Sequence, residues 1–199
     1  MREGILFILS GPAGSGKTTL TKKLIEKFSD IRFSVSCTTR KKRPGELDGV
    51  DYRFLSEGEF KEMIQKGGFA EWATVHGNLY GTPIKELENS ILTGVDLILD
   101  LDVQGARNIR GKYSSGVYIF LVPSSFDVLR ERLIKRQSDE QFEIKKRLED
   151  AKKEMEEVQI YDYIIINDSL DEALEKLAAI VVAERCRRDR VLVLIESSF

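Results

Sequence analysis

Residues 11–18 read Gly-Pro-Ala-Gly-Ser-Gly-Lys-Thr, a residue-for-residue match to G-x-x-x-x-G-K-[ST]. Gly11, Gly14 and Gly16 let successive backbone N–H groups curl around phosphate oxygens, with Pro12, Ala13 and Ser15 completing the loop. Lys17 has the reach to meet β/γ-phosphates, the Thr18 hydroxyl suits a Mg²⁺ ligand, and Thr19 opens the helix whose N-terminus favours anions. The chemistry expected of this stretch is the binding of a nucleoside triphosphate with Mg²⁺. A glycine-rich turn that only joins two elements is the alternative, and the flanks weigh against it. Gly4 to Ser10 is an apolar run suited to a buried parallel strand, and Leu20, Leu24, Ile25 and Phe28 recur at helical spacing.

Two further groups of residues could act on phosphate. Arg40-Lys-Lys-Arg43 is a basic loop closed by Pro44-Gly45, with Tyr52 and Tyr80 as neutral hydroxyl donors further on. Alone, such a run reads as a solvated charge cluster or a nucleic-acid patch. Paired guanidiniums with phenols suit a phosphate monoester instead, because arginine makes planar bidentate contacts with phosphate oxygens. Arg132, Arg136 and Arg147 fall on two charged helices beyond Pro123, and the lysines among them read as a solvated face.

The elements that must position these groups alternate between strand and helix. Ile31 to Ser36 alternates like a strand, Asp51 to Leu55 is a short strand, and Ser56-x-x-Glu59 is a capping box for a helix to about 65. Phe69 to Val75 and Leu79-Tyr80 flank a turn that holds the lone histidine, His76, and Thr82 is placed to cap a helix with Pro83 in its first position. Residues 31–82 thus read as a small, mostly β insertion. Val95 to Asp102 is an apolar strand ending in Asp100 and Asp102, followed by a strand over 117–122. Helices are expected over about 126–137 and 140–159, the second behind the capping box Ser138-x-x-Gln141. A last central strand, 163–166, and a helix from Ser169 to Arg187 follow. The pattern is an α/β fold around a central parallel sheet. Ser10, Asp100 with Asp102, Pro123 and Asn167 fall at strand ends, where parallel sheets place ligands.

The balance of 31 Lys+Arg against 33 Asp+Glu, net −2, argues against a general nucleic-acid binder. Cys37 and Cys186 form neither a disulfide framework nor a zinc pattern. No signal-peptide core opens the sequence, and nothing approaches the roughly 18 apolar residues of a membrane span, so a cytoplasmic protein with no membrane partner is expected.

Ser34-Val-Ser-Cys-Thr-Thr-Arg40, Arg43-Pro-Gly-Glu46, Gly49-Val-Asp-Tyr52, Glu71-Trp-Ala73, Gly77-Asn-Leu-Tyr-Gly81 and Leu99-Asp-Leu-Asp-Val-Gln-Gly105, in this order behind residues 11–18, resemble the guanylate kinase family. The resemblance runs to about Arg190. It implies a P-loop three-layer core, with a small, mostly β GMP-binding insertion and a helical lid. The core would be residues 1–30, 83–124 and 152–199, the last including the tail; the GMP-binding region would be 31–82 and the lid 125–151. It further implies that Arg40, Arg43, Tyr52 and Tyr80 hold the GMP phosphate, that Ser36 and Thr82 lie at the base, and that Glu71 and Asp102 accept from guanine N1–H and the 2-amino group. The base chemistry agrees, since adenine lacks that amino group and presents an acceptor at N1. Asn167 resembles the family's adenine contact, and Asp100 is a candidate anchor for Mg²⁺, through water, or for Lys17. Gln137-Ser138 stands where relatives usually have Gly-Thr, a departure in the lid hinge.

The expected reaction is in-line transfer of the γ-phosphoryl group of ATP to GMP, with dGMP as a second acceptor, assisted by Lys17, Arg132, Arg136 and Arg147. A guanylate-kinase-like protein-binding module without catalysis, or a kinase of another phosphate ester, stay open as alternatives. Val191 to Ile195 matches none of these motifs and reads as a strand seeking a sheet edge, in its own chain or in a homo-oligomer.

Overall fold

The computed structural model describes residues 2–75, 77–135 and 141–196. The chain opens with β1 (Leu6–Ser10), α1 (Lys17–Lys27) and β2 (Ile31–Phe33). A small unit follows, made of β3 (Cys37–Thr38), β4 (Arg53–Phe54), α2 (Glu57–Gln65), β5 (Phe69–Val75) and β6 (Asn78–Pro83). The chain returns through α3 (Ile84–Thr93), β7 (Asp96–Asp100), α4 (Val103–Arg110) and β8 (Val117–Pro123). It ends with α5 (Phe126–Lys135), α6 (Gln141–Glu156), a 3₁₀ turn over Glu157–Ile160, β9 (Tyr163–Asn167), α7 (Leu170–Arg185) and α8 (Arg188–Glu196).

Five strands form a parallel sheet in the order β2-β7-β1-β8-β9, with β1 at its centre. Strand alternation sends Phe7 and Leu9 to one face, where they pack with Leu20 and Leu24 of α1 and Leu177 and Val181 of α7. Leu6 and Ile8 go to the other, against Leu87 of α3 and Ala106 and Ile109 of α4. Both faces are covered, which is why β1 is apolar from Leu6 to Leu9 and buried at every position. This three-layer packing fixes the loop after β1 at the sheet's carboxyl edge. The second sheet, β4-β3-β6-β5, closes over a small core of Cys37, Phe60 and Phe69. α2 starts at Ser56, where both halves of the expected capping box are formed.

Several expectations are corrected. Ile31–Phe33 is not part of the β insertion; it lies parallel to β7 at the edge of the larger sheet, with α1 as the crossover that leads to it. β9 is an edge strand rather than a central one, and Ile164 and Ile166 are more than half exposed. The strand that was to reach Asp102 stops at Asp100, since Asp102 caps α4 by accepting the Gly105 N–H at 2.7 Å. Pro83, not Thr82, is the cap residue of α3; Thr82 stays in β6 with its hydroxyl turned elsewhere. Val191 to Ile195 is helical within α8, which starts with the Arg190 and Val191 N–H groups bonding the Arg187 carbonyl. The turn at His76 and the capping box at Ser138 lie outside the described residues.

At the opposite edge of the sheet Asp96 is wholly buried. It accepts from Arg2 at 2.6 and 3.0 Å, from the Ile5 N–H at 2.9 Å and from Arg185 at 2.7 Å. Burial pushes its carboxyl up, but Arg2, the Ile5 N–H and Arg185 together outweigh that and hold it below its ordinary 3.8. Its contribution to stability is therefore present above pH 3.8 and is lost as the pH falls through the lowered value. Asp96→Asn should cost about 3 kcal/mol, because two guanidiniums lose a buried counter-ion. The measure is a lower urea midpoint, with specific activity of the folded fraction unchanged, since Asp96 lies far from the carboxyl edge.

Candidate active site

The loop after β1 is built on close approaches that only glycine allows. At Gly11, with φ near +137°, an added Cβ would stand 2.1 Å from the Leu121 carbonyl oxygen on β8. At Gly16, with φ near +102°, it would stand 2.4 Å from Asn167 Nδ2. α1 begins directly at Lys17, so its unpaired N–H groups face the loop. Lys17 Nζ donates back to the carbonyls of Gly11 at 2.6 Å and Pro12 at 3.3 Å. The Thr18 hydroxyl donates to Asp100 Oδ2 at 2.7 Å, joining the loop to the end of β7.

Asn167 and Arg132 do something sequence reasoning missed. Asn167 is buried at the end of β9, and its amide donates to the Ser15 carbonyl at 2.7 Å. Arg132 of α5 donates to that carbonyl at 3.3 Å and to the Asn167 carbonyl at 2.9 Å. Both thus brace the back of the loop, beside the buried Ser15, and neither lines the cleft in front of it.

That cleft is a cavity of about 1070 Å³ between the larger sheet and the small β unit. Lys17, Thr18, Asp100 and Asp102 border it on the core side, and Ser36, Arg40, Arg43, Tyr52, Glu71 and Tyr80 on the other. Arg147 reaches it from α6. Gly11, Ala13, Gly14 and Gly16 line it as well, whereas Pro12 and Thr19 do not, and Thr19 is exposed. Arg136 lies outside the described residues.

Arg40 is held by partners of three kinds. Its Nε donates to Tyr80 Oη at 3.2 Å, its two terminal nitrogens meet Glu46 at 3.1 and 2.7 Å, and its guanidinium sits 5.4 Å from the Tyr52 ring centroid. Glu46 also accepts the Arg43 N–H at 2.7 Å, and these contacts outweigh burial to keep its carboxyl below the ordinary range. Glu46 falls in the Arg43-Pro-Gly-Glu46 stretch, where residue type alone gives it no role; its place six residues after Arg40 is the signal that points to the pair. Burial, with Asp100 and Tyr80 nearby, pushes the Tyr52 phenol up, so it remains a neutral donor. Tyr52 and Tyr80 meet edge to face at 5.9 Å. Lys22 of α1 bridges to Asp51 at 2.7 Å, a contact across the cleft beside this clamp.

Glu71 is buried in β5 and accepts the Thr82 hydroxyl at 2.7 Å through Oε1. The other oxygen faces Asp102: a Cβ at Gly105 would stand 3.0 Å from both Glu71 Oε2 and Asp102 Oδ1. Two carboxylates therefore converge at one end of the cavity. Burial raises Glu71 to about 7, with Asp102 adding to the rise and Thr82 opposing it. Thr82, expected both as a helix cap and at the base, is thus an orienting partner of Glu71. Cys37 is buried, which lifts its thiol to about 11 and suits a filler in the small core.

Hard oxygen atoms at Thr18 and Asp100 are the donor set that Mg²⁺ prefers. No group of three or more His, Cys, Asp or Glu suited to a metal occurs among the described residues. A metal here would complete its shell with phosphate oxygens and water. No helix among the described residues is long and apolar enough to cross a membrane.

The sequence model of the family described as guanylate kinase matches residues 3–184. The guanylate kinase of Geobacter metallireducens is 52% identical over 198 residues, covering 100% of this chain and 98% of that protein. That of Caldanaerobacter subterraneus subsp. tengcongensis is 46% identical over 189 residues, covering 95% and 92%. The crystal structure of guanylate kinase from Anaplasma phagocytophilum superposes with a TM-score of 0.81 at 35% identity, over 95% of this chain and 90% of that one.

Proposed function

The chain belongs to the guanylate kinase family, and from that premise we propose how its residues divide the transfer of the γ-phosphoryl group from ATP to GMP. The activity is that of an ATP:GMP phosphotransferase, giving ADP and GDP. The observation that carries the division of labour is the pairing of Glu71 and Asp102 in one cavity with Lys17 and Thr18.

The glycine loop holds the triphosphate through backbone N–H groups, and Arg132 and Asn167 keep that loop in shape from behind. Thr18 and Asp100, already joined by a hydrogen bond, would hold Mg²⁺, which would supply positive charge to offset that of the triphosphate. Across the cavity Arg40, Arg43, Tyr52 and Tyr80 receive the GMP phosphate, with Glu46 setting the plane of the Arg40 guanidinium. Ser36 and the Glu71–Asp102 pair read the base, and Thr82 orients Glu71. The acceptor phosphate is already an anion, so no general base is needed. Catalysis then rests on alignment and charge stabilisation, with Lys17 and Arg147, joined by Arg136, stabilising the moving group.

A coupled assay of ADP formation with GMP, dGMP, AMP, CMP and UMP tests the reading. Guanine nucleotides should react, with AMP slower by at least about 10⁴ in kcat/KM, because adenine would set an acceptor against the buried Glu71 carboxylate and its partner Asp102. Comparable rates with AMP would remove Glu71 and Asp102 from base recognition.

A further inference from the structure

One acidic residue of the cavity has no part in the roles above. α6 carries Arg147 and, seven residues later on the same helix face, Glu154. Both line the cavity. Glu154 is half-buried, and its buried Oε2 has no hydrogen-bond partner among the described residues. A buried carboxylate oxygen without a donor is costly to keep, so a donor that arrives with the reaction is the natural occupant.

The groups facing it narrow that donor. Lys17 comes from the glycine loop, Asp102 from the cap of α4, Asp150 from one turn earlier on α6, and Tyr161 from just beyond the 3₁₀ turn. Among the described residues that face it, only Lys17 is cationic. In this structure its ammonium is spent on the Gly11 and Pro12 carbonyls. To meet a triphosphate it must turn from that backbone, and Glu154 then offers a fixed anionic acceptor on its cavity side.

We propose that Glu154 is a positioning residue, holding the Lys17 ammonium against the transferred phosphate and so tying the lysine to the helix that presents Arg147. The proposal rests on Lys17 acting on the moving phosphate, as set out above. Glu154 would touch neither substrate. It acts only when ionised; burial lifts its carboxyl to about 7, with Asp102 and Asp150 adding to the rise and Lys17 opposing it.

The test is Glu154→Gln, with kcat and KM for both substrates measured across neutral pH. At the alkaline plateau kcat should fall about 10- to 30-fold, the cost of a misplaced charge-stabilising group, while both KM values stay within about threefold. The acid limb of the wild-type kcat profile should also flatten in the variant. The GMP phosphate titrates equally with both enzymes, so the difference between profiles belongs to Glu154. An unchanged kcat, or an unchanged acid limb with only a lower melting temperature, overturns the proposal. So does a raised KM for GMP at constant kcat, which would make Glu154 a nucleoside contact. Lys17→Ala runs alongside. If it kept wild-type turnover, the role of Lys17 itself would fail; if it is inactive while Glu154→Gln is unaltered, only the inference about Glu154 fails.

Discussion

Glu71→Ala should lower kcat/KM for GMP by about 10³ while leaving ATP affinity within about twofold. The size follows from what the side chain faces. Its Oε1 is occupied by the Thr82 hydroxyl at 2.7 Å, and Oε2 points to where Asp102 converges. A guanine edge placed there brings two N–H donors, and hydrogen bonds to a charged, buried acceptor contribute about 1.5–3 kcal/mol each. Removing the carboxylate also strands the Thr82 hydroxyl. The ATP side should not respond, because the glycine loop sits between β1 and α1 and is braced from β9, whereas Glu71 stands on β5. Equal losses for both substrates would mean a damaged fold.

The raised carboxyl of Glu71 adds a second signature. Free enzyme holds it protonated below about 7, and a protonated carboxyl cannot accept from both guanine donors. The apparent affinity for GMP should therefore weaken by about tenfold per unit as the pH falls below that value, and Glu71→Gln should flatten the slope. The linkage to stability runs the other way. Because Glu71 and Glu154 are both raised from 4.5 to about 7 on folding, their contribution is present below pH 4.5 and lost as the pH rises through about 7. GMP binding at neutral pH thus works against an intrinsic cost of keeping Glu71 charged. A GMP dissociation constant flat from pH 6 to 8 would sink this reading.

How far the sequence went depends on whether a feature is local. The glycine loop, its strand and its helix are fixed by residues within one supersecondary unit, and so is the Ser56–Glu59 capping box; both are formed as read. Sheet membership is not local. Ile31–Phe33 alternates as any edge strand would, and nothing within it says that its neighbour is β7 rather than β3. Ile164 and Ile166 make β9 look central, yet among the described residues no strand lies beyond it, and both are exposed. Val191 to Ile195 is apolar at five successive positions, which carries no period and cannot separate strand from helix. In the site, residue types told which groups meet a phosphate or a base. They did not tell that Asn167 and Arg132 would turn to the Ser15 carbonyl, since their partner is a backbone atom, and backbone atoms have no sequence signature. Glu154 was invisible for a related reason: an acidic residue on a charged helix reads as solvated until its burial is known.

Lys17→Ala should lower kcat by about 10³–10⁴, with ATP binding weakened by less than tenfold. The two numbers separate because the loop and the lysine do different jobs. Ground-state binding is spread over several N–H groups of residues 11–18 and the N-terminus of α1, and those are backbone groups that survive the change. The ammonium instead meets charge that grows on the transferred group, and an interaction made mainly in the transition state appears in kcat. Loss of the Gly11 and Pro12 contacts could loosen the loop and mimic this result. Lys17→Arg controls for that, because a guanidinium can still donate to both carbonyls but is too bulky and planar to replace a point charge at the phosphate. The expected outcome is an arginine variant near wild type in thermal stability and still at least about 10²-fold low in kcat. An arginine variant with restored turnover would show that the loop needs only a cation across its backbone, and would move the charge-stabilising role to Arg147.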